Sequence, residues 1–208
     1  MGMIYPRSHA EVAATLKKLS PAKQARLIEA IHTIEELLGG APESITKPKA
    51  PYLLRRHKPG DLGWIIHRHG ALYAREYGFD ASFEALVADI GAGFIRTYDR
   101  KSERCWMAEK DGEVVGSVLL VRKSKTVAQL RLLLVEPKAR GIGLGGRLVS
   151  ECERFARQAG YRKIMLWTNG VLDAARHIYE RAGYRLVREA PHHSFGHDLV
   201  GQIWELKL

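Results

Sequence analysis

Apolar positions recur at helical spacing through the first forty residues of this 208-residue chain, then shift toward the short runs of strands. The stretch "HAEVAATLKKL" is short and amphipathic. Ser20-Pro21 comes next as an N-cap with proline at the first helical position. Leu27, Ile28, Ile31, Ile34 and Leu38 then line one helical face, and Gly39-Gly40 ends it. Residues 41–51, rich in Pro and polar side chains, read as a linker. Two helices of this size cannot bury their own apolar stripe. They are expected to pack on the remainder of the chain or on a second subunit.

From Tyr52 to Leu208 the pattern is α+β. "YLLRR" predicts a short strand, and helices are expected over 62–77 and 81–97. Three strands come next in "CWMAEK", "EVVGSVLLVRK" and "VAQLRLLLVEP". Asp111-Gly112 marks a hairpin between the first two. A helix succeeds them, with Leu144, Leu148, Cys152, Phe155 and Ala159 on one face and Arg147, Arg154 and Arg157 on others. "KIMLWT" predicts a buried strand, 172–182 a helix, and "YRLVRE" and "LVGQIWELKL" the closing strands. The expected fold is a mixed, mostly antiparallel sheet of about seven strands flanked by helices.

Composition narrows the class. Hydrophobic residues make up 46% of the chain, enough for one full core with some extra length. Only Cys105 and Cys152 are present, which fits a reducing cytoplasm rather than a disulfide framework. No secretion signal or membrane-length apolar run is expected, so the protein reads as soluble and cytoplasmic. The formal charge of +10 invites a nucleic-acid reading, but the basic residues are scattered and form no long tract. An anionic cofactor accounts for part of the excess, and specific nucleic-acid binding by this chain is not expected.

The chemistry concentrates in "VEPKARGIGLGGRLV", which packs four glycines into the six positions from Gly141 to Gly146. The letters satisfy the G-x-G-x-x-G pattern of dinucleotide sites, but the context does not. Such sites place the glycines directly after the strand and an acidic residue at the end of the next one. Here Glu136-Pro137-Lys138-Ala139-Arg140 intervenes, and the next strand ends in Trp167-Thr168-Asn169. A Walker loop would need Gly-Lys-Ser/Thr, which is absent. What stays is the general chemistry of a helix N-terminus: unpaired N–H groups, partial positive charge, and glycines that let a phosphate approach. A tight strand-to-helix turn with close packing is the other reading of the glycines alone.

Arg140-Gly141-Ile142-Gly143-Leu144-Gly145, the strand leading into it and the distant "YERAGY" together resemble the core of the GNAT family of N-acetyltransferases. The family's acetyl-CoA loop reads Arg/Gln-x-x-Gly-x-Gly/Ala, and the predicted element order from Tyr52 onward also matches it. The resemblance implies the GNAT fold and direct transfer of acetyl from acetyl-CoA to an amine, on a small molecule or a peptide. In its terms Leu133, Leu134 and Val135 supply a backbone edge for the pantetheine arm, with an amide near Leu133 polarising the acetyl carbonyl. Backbone amides of Arg140, Gly141, Gly143, Gly145 and Gly146 hold the pyrophosphate, with Ile142 inside the motif. Tyr179 becomes the general acid toward the CoA thiolate. From its spacing alone, Tyr179 reads first as an aromatic at the edge of the core, and only the resemblance turns it toward catalysis.

Two positions depart from the family. Leu172 stands where many members carry Asn, leaving Asn169 as a candidate cap or cofactor contact. Gln129 falls about where some members carry a glutamate base, and glutamine cannot take a proton at neutral pH. The base is then sought among Glu109, Glu76, His192 and His193, or is water. His67, His69, Tyr73 and Glu76 also fit a plain polar helix face. "PHHSFGHD", expected to join the last two strands, lacks a convincing ligand pattern for a metal in His192, His193 and His197. Residues 1–40 resemble the dimerisation tail of MarR-type regulators, and later segments resemble MarR–GNAT fusion proteins. The winged helix itself is not seen, so a homodimer is implied and DNA binding is not. An acyl-CoA-binding module derived from a regulator, with little or no turnover, is the alternative.

Overall fold

The computed structural model describes Tyr52–Leu208 and, before it, Ser20 alone; the helices expected over 1–40 and the linker over 41–51 otherwise lie outside the described residues. Among the described residues seven strands form one sheet: β1 (Leu53–Arg56), β2 (Arg104–Lys110), β3 (Glu113–Arg122), β4 (Val127–Val135), β5 (Lys163–Asn169), β6 (Arg185–Ser194) and β7 (His197–Lys207). Their spatial order is β1-β2-β3-β4-β5-β7-β6. Every neighbouring pair is antiparallel except β4 with β5. The helices are α1 (Asp61–Tyr77), α2 (Ala81–Thr97), α3 (Leu144–Gln158) and α4 (Asp173–Arg181).

Side chains alternate across a strand, so β2 feeds two cores. Cys105 and Met107 join Ile65 of α1 and Val87 and Phe94 of α2 on one face. Trp106 and Ala108 join Leu144, Leu148 and Cys152 of α3 and Tyr179 of α4 on the other. The α3 stripe read from the sequence is the buried one, with Leu148 and Cys152 fully inaccessible. Helix α1 is pinned at its start, where Arg55 on β1 reaches Asp61 at 2.6 Å and Glu109 on β2 at 2.5 Å. Burial alone raises the Asp61 pKa, but the Arg55 ion pair and the Lys58 N–H outweigh it and hold the carboxyl below its usual range.

The Asp111-Gly112 turn is present, with φ of 52° and 81°. The last two strands depart from expectation. "PHHSFGHD" is not a connecting loop: Pro191, His192 and His193 lie in β6, and His197 and Asp198 in β7. Only Phe195-Gly196 turns, with φ of 59° and 79°. A proline argues against a central strand, yet β6 is an edge strand, where a missing N–H costs nothing. A Phe at positive φ is equally unexpected. It is held by burial, with its ring 5.1 Å from both Phe79 and Phe83.

Candidate active site

Strands β4 and β5 pair only from Val127↔Lys163 to Leu130↔Leu166. Beyond that the partners diverge. On its other side β4 has a bulge, because Ser117 faces Leu134 while Leu119 faces Arg131, and Leu132 takes a φ of 49°. The stretch from Arg131 to Val135 therefore has no strand partner on its β5 side and borders an opening in the middle of the sheet. Buried backbone groups of this kind call for a partner.

The opening continues into a cavity of about 600 Å³. Leu133, Leu134 and Val135 form one wall, the glycine loop a second, and Ala175, Ile178 and Arg181 of α4 a third. Gly143 caps α3 with a φ of 76°, a conformation that suits glycine. The N–H groups from Gly141 to Gly146 have no backbone partner among the described residues; the first paired one is Arg147, to the Gly143 carbonyl. A Cβ on Gly146 would meet nothing within 4 Å and would project into free space. Donors and room of this kind suit an anion.

The amide of Arg140 differs from its expected role, since it donates to the Pro137 carbonyl in the 3-10 turn Pro137–Ala139. Its side chain instead clasps α1, with Nη2 2.9 Å from both carboxylate oxygens of Glu76. Arg68 and Glu136 make a second tie between α1 and the end of β4, at 2.5 and 2.8 Å. Ile142 is 37% exposed and does not face the cavity.

A second cavity of about 100 Å³ adjoins the first and shares Tyr73, Leu133, Leu172 and Ala175 with it. Its walls come from both faces of the sheet: Phe83 and Val87 of α2 on one, Tyr179 of α4 on the other. Burial, with Tyr73 and Cys152 behind it, pushes the Tyr179 phenol well above its ordinary value. The group is therefore protonated at neutral pH, and no side chain among the described residues bonds it. Asn169 belongs to this smaller cavity rather than to the larger one that holds the glycine loop. Its Oδ1 accepts from His192 Nε2 at 3.0 Å.

None of the four base candidates lines the smaller cavity. Glu109 is occupied by Arg55, Glu76 by Arg140, and exposed His193 by Asp198 at 2.7 Å. His192 stands behind Asn169, its Nδ1 2.9 Å from the Ser194 hydroxyl. Gln129 lies in the paired part of β4, opposite Met165, and reaches neither cavity.

The residue that does line it is His69, which is 2% exposed. Its Nδ1 lies 2.8 Å from the Ile65 carbonyl. A carbonyl only accepts, so Nδ1 carries the proton and Nε2 presents a lone pair. Desolvation lowers the His69 pKa from 6.5 to about 4, against the Ile65 bond. A histidine buried neutral makes the fold weaker in acid, because the unfolded chain binds the extra proton. Stability is complete above pH 6.5 and declines as pH falls toward about 4. A urea midpoint measured across that window should fall, and His69→Leu should flatten the slope. Helical periodicity could not single out His69, because His67 and Glu76 share its polar pattern.

Comparison with known proteins agrees with this geometry. The sequence profile of the Acetyltransferase (GNAT) family matches residues 68–184. The chain is 29% identical over 113 residues to the uncharacterised N-acetyltransferase YjgM of Escherichia coli, covering 52% of this chain and 68% of that protein. It is 35% identical over 131 residues to the probable N-acetyltransferase camello of Xenopus tropicalis, covering 61% of this chain and 55% of that protein. The structure of yncA from Salmonella typhimurium with its cofactor acetyl-CoA superposes with a TM-score of 0.64 at 16% identity, over 76% of this chain and 94% of that one. At that identity the likeness concerns the fold. Profile, relatives and fold converge: the chain belongs to the GNAT family of acetyltransferases.

Proposed function

We propose that this protein transfers the acetyl group of acetyl-CoA directly to a primary amine within a ternary complex. The observation that carries the reading is the unpaired β4 edge, which joins the two cavities through the middle of the sheet. The larger cavity fits the cofactor chemically. It offers an extended strand edge for a chain of amides, five lining residues from Gly141 to Gly146 with free N–H groups for a pyrophosphate, and Arg181 at its wall for further phosphate charge. Bound there, acetyl-CoA supplies an activated acyl thioester.

The chain's own residues then do three things. The β4 edge near Leu133 orients the acyl carbonyl and donates to its oxygen. His69 Nε2 receives the proton of the attacking amine, directly or through one water. A weak base suffices, because that proton becomes strongly acidic as the new N–C bond forms. Tyr179 gives its proton to the departing sulfur. One proton thus leaves nitrogen and one reaches sulfur as the N–C bond forms and the C–S bond breaks.

Neither cysteine lines either of the two cavities. Burial pushes the Cys105 thiol up to about 12 and Cys152 well above its usual value, so neither serves as a nucleophile. This reading includes a cytoplasmic homodimer, with the segment expected to build it lying outside the described residues.

Thiol release with a panel of amines, amino acids and peptides tests the reading, with mass analysis of the products. Saturable release with a gain of one acetyl on the amine is expected. Tight acetyl-CoA binding with no release across the panel would favour the regulator-derived module instead.

A further inference from the structure

Among the described residues Arg131 is the one arginine or lysine lining the smaller cavity, and it is unpaired. It occupies the first position of β4 after pairing with β5 ends at Leu130. Its side chain enters the cavity from the α1–α2 face of the sheet. Several other arginines of this fold have a carboxylate, as Arg55 has Asp61, Arg68 has Glu136 and Arg140 has Glu76, while part-buried Arg104 lies over the Phe155 ring at 4.2 Å. Arg131 has no ion pair or side-chain hydrogen bond among the described residues, and only desolvation acts on it. A half-buried guanidinium without a counter-ion is expensive, and such groups are normally matched. Nothing in the cradle for acetyl-CoA needs it, since Arg131 does not line the larger cavity.

We propose that Arg131 receives a carboxylate of the acceptor, so that the amine acetylated is that of a small amino acid. The inference rests on the acetyltransferase reading and names its second substrate by class. Four features of the smaller cavity favour this acceptor. One unpaired cation matches one negative charge, whereas a phosphate dianion would call for more donors. Phe83, Leu86 and Ile90 supply an apolar wall for a hydrocarbon side chain. His69 and Tyr179 stand at the same cavity, so an acceptor anchored at Arg131 presents its amine among the groups that move protons. At about 100 Å³ the space suits a small molecule and not a folded protein surface.

Matched pairs of acceptors test the proposal: L-leucine against isoamylamine and against leucinamide, with phosphoethanolamine as the phosphate arm. Wild-type protein should use leucine about 10- to 100-fold better in kcat/KM than either neutral partner, the range expected for a charge-assisted bidentate contact. Arg131→Gln should erase that preference by lowering the rate on leucine while leaving isoamylamine within about threefold, and Arg131→Lys should restore part of it. Because Arg131 has no partner to orphan, Arg131→Gln should not lower the thermal midpoint. Equal use of acids and neutral amines by the wild type would overturn the proposal. So would equal loss on both in Arg131→Gln, or preference for the phosphate.

If no amine in the panel is acetylated, the transferase reading fails by itself. Calorimetric titration of leucine then decides whether Arg131 receives a carboxylate: binding lost in Arg131→Gln upholds that contact, and absence of binding to the wild type sinks it.

Discussion

Gly146→Asp is expected to leave the protein folded, slightly more stable than the wild type, and nearly unable to use acetyl-CoA. The two effects have opposite signs because they come from different links of the chain. In the fold, residue 146 sits in the first turn of α3, and a Cβ there would meet nothing within 4 Å. Replacing glycine in a helix recovers a few tenths of a kcal/mol or more, and an acidic side chain in the first turn adds about 0.3–1 kcal/mol. In the site, the same carboxylate occupies the space toward which the free N–H groups point. At about 4 Å from a phosphate charge it costs on the order of 4 kcal/mol at an effective dielectric near 20. Allowing for relaxation, KM for acetyl-CoA should rise at least about 100-fold while the thermal midpoint holds or climbs. Retained acetyl-CoA affinity in this variant would move the pyrophosphate away from the loop altogether.

Tyr179→Phe tests the proton donor with the least disturbance to its surroundings. Tyr179 is 5% exposed and packs against Tyr184 with ring centroids 5.8 Å apart, contacts that phenylalanine keeps. No hydrogen bond from the described residues acts on its phenol, so removing the hydroxyl orphans nothing there. A stability change under about 1 kcal/mol is expected. The rate should respond far more. Losing a positioned acid costs on the order of 10²-fold in kcat, with KM for acetyl-CoA little changed because the residue does not line the larger cavity. The pH profile carries a second signature. Burial raises this phenol above its ordinary value of 10.0, so it stays protonated and adds no alkaline fall in rate below that pH. Full activity in Tyr179→Phe would leave protonation of the sulfur to water.

The elements of this fold were legible where one physical signal dominated. Helix α3 announced itself through a stripe from Leu144 to Phe155, and the Asp111-Gly112 turn through residues that accept positive φ. Strands β6 and β7 were both read, but their extension to a two-residue turn was hidden because Pro191 and Phe195 each break a local rule that tertiary context overrides: an edge position for one, a buried ring for the other. The site divided the same way. The glycine loop is a local device, so its letters identified it. The base and the acceptor anchor are products of convergence. His69 on α1 and Arg131 on β4 are 62 residues apart in the chain (131 minus 69) and meet only because β4 and β5 part company. Glu76, Glu109 and His193 looked equally fit for proton transfer until their partners were known.

The parting of β4 from β5 after Leu130↔Leu166 also bears on how long the molecule lasts in a cell. A sheet interrupted at its centre gives up ladder bonds that a continuous one would make. A ligand that satisfies that edge binds the native state and not the unfolded chain, so its supply sets part of the folding equilibrium. At a hundred times its dissociation constant it contributes about 2.7 kcal/mol, a large share of the margin a domain of this size holds. Scarcity of the acyl donor would then do more than idle the catalyst. It would thin the population of the protein itself, through the unfolded molecules that proteases remove.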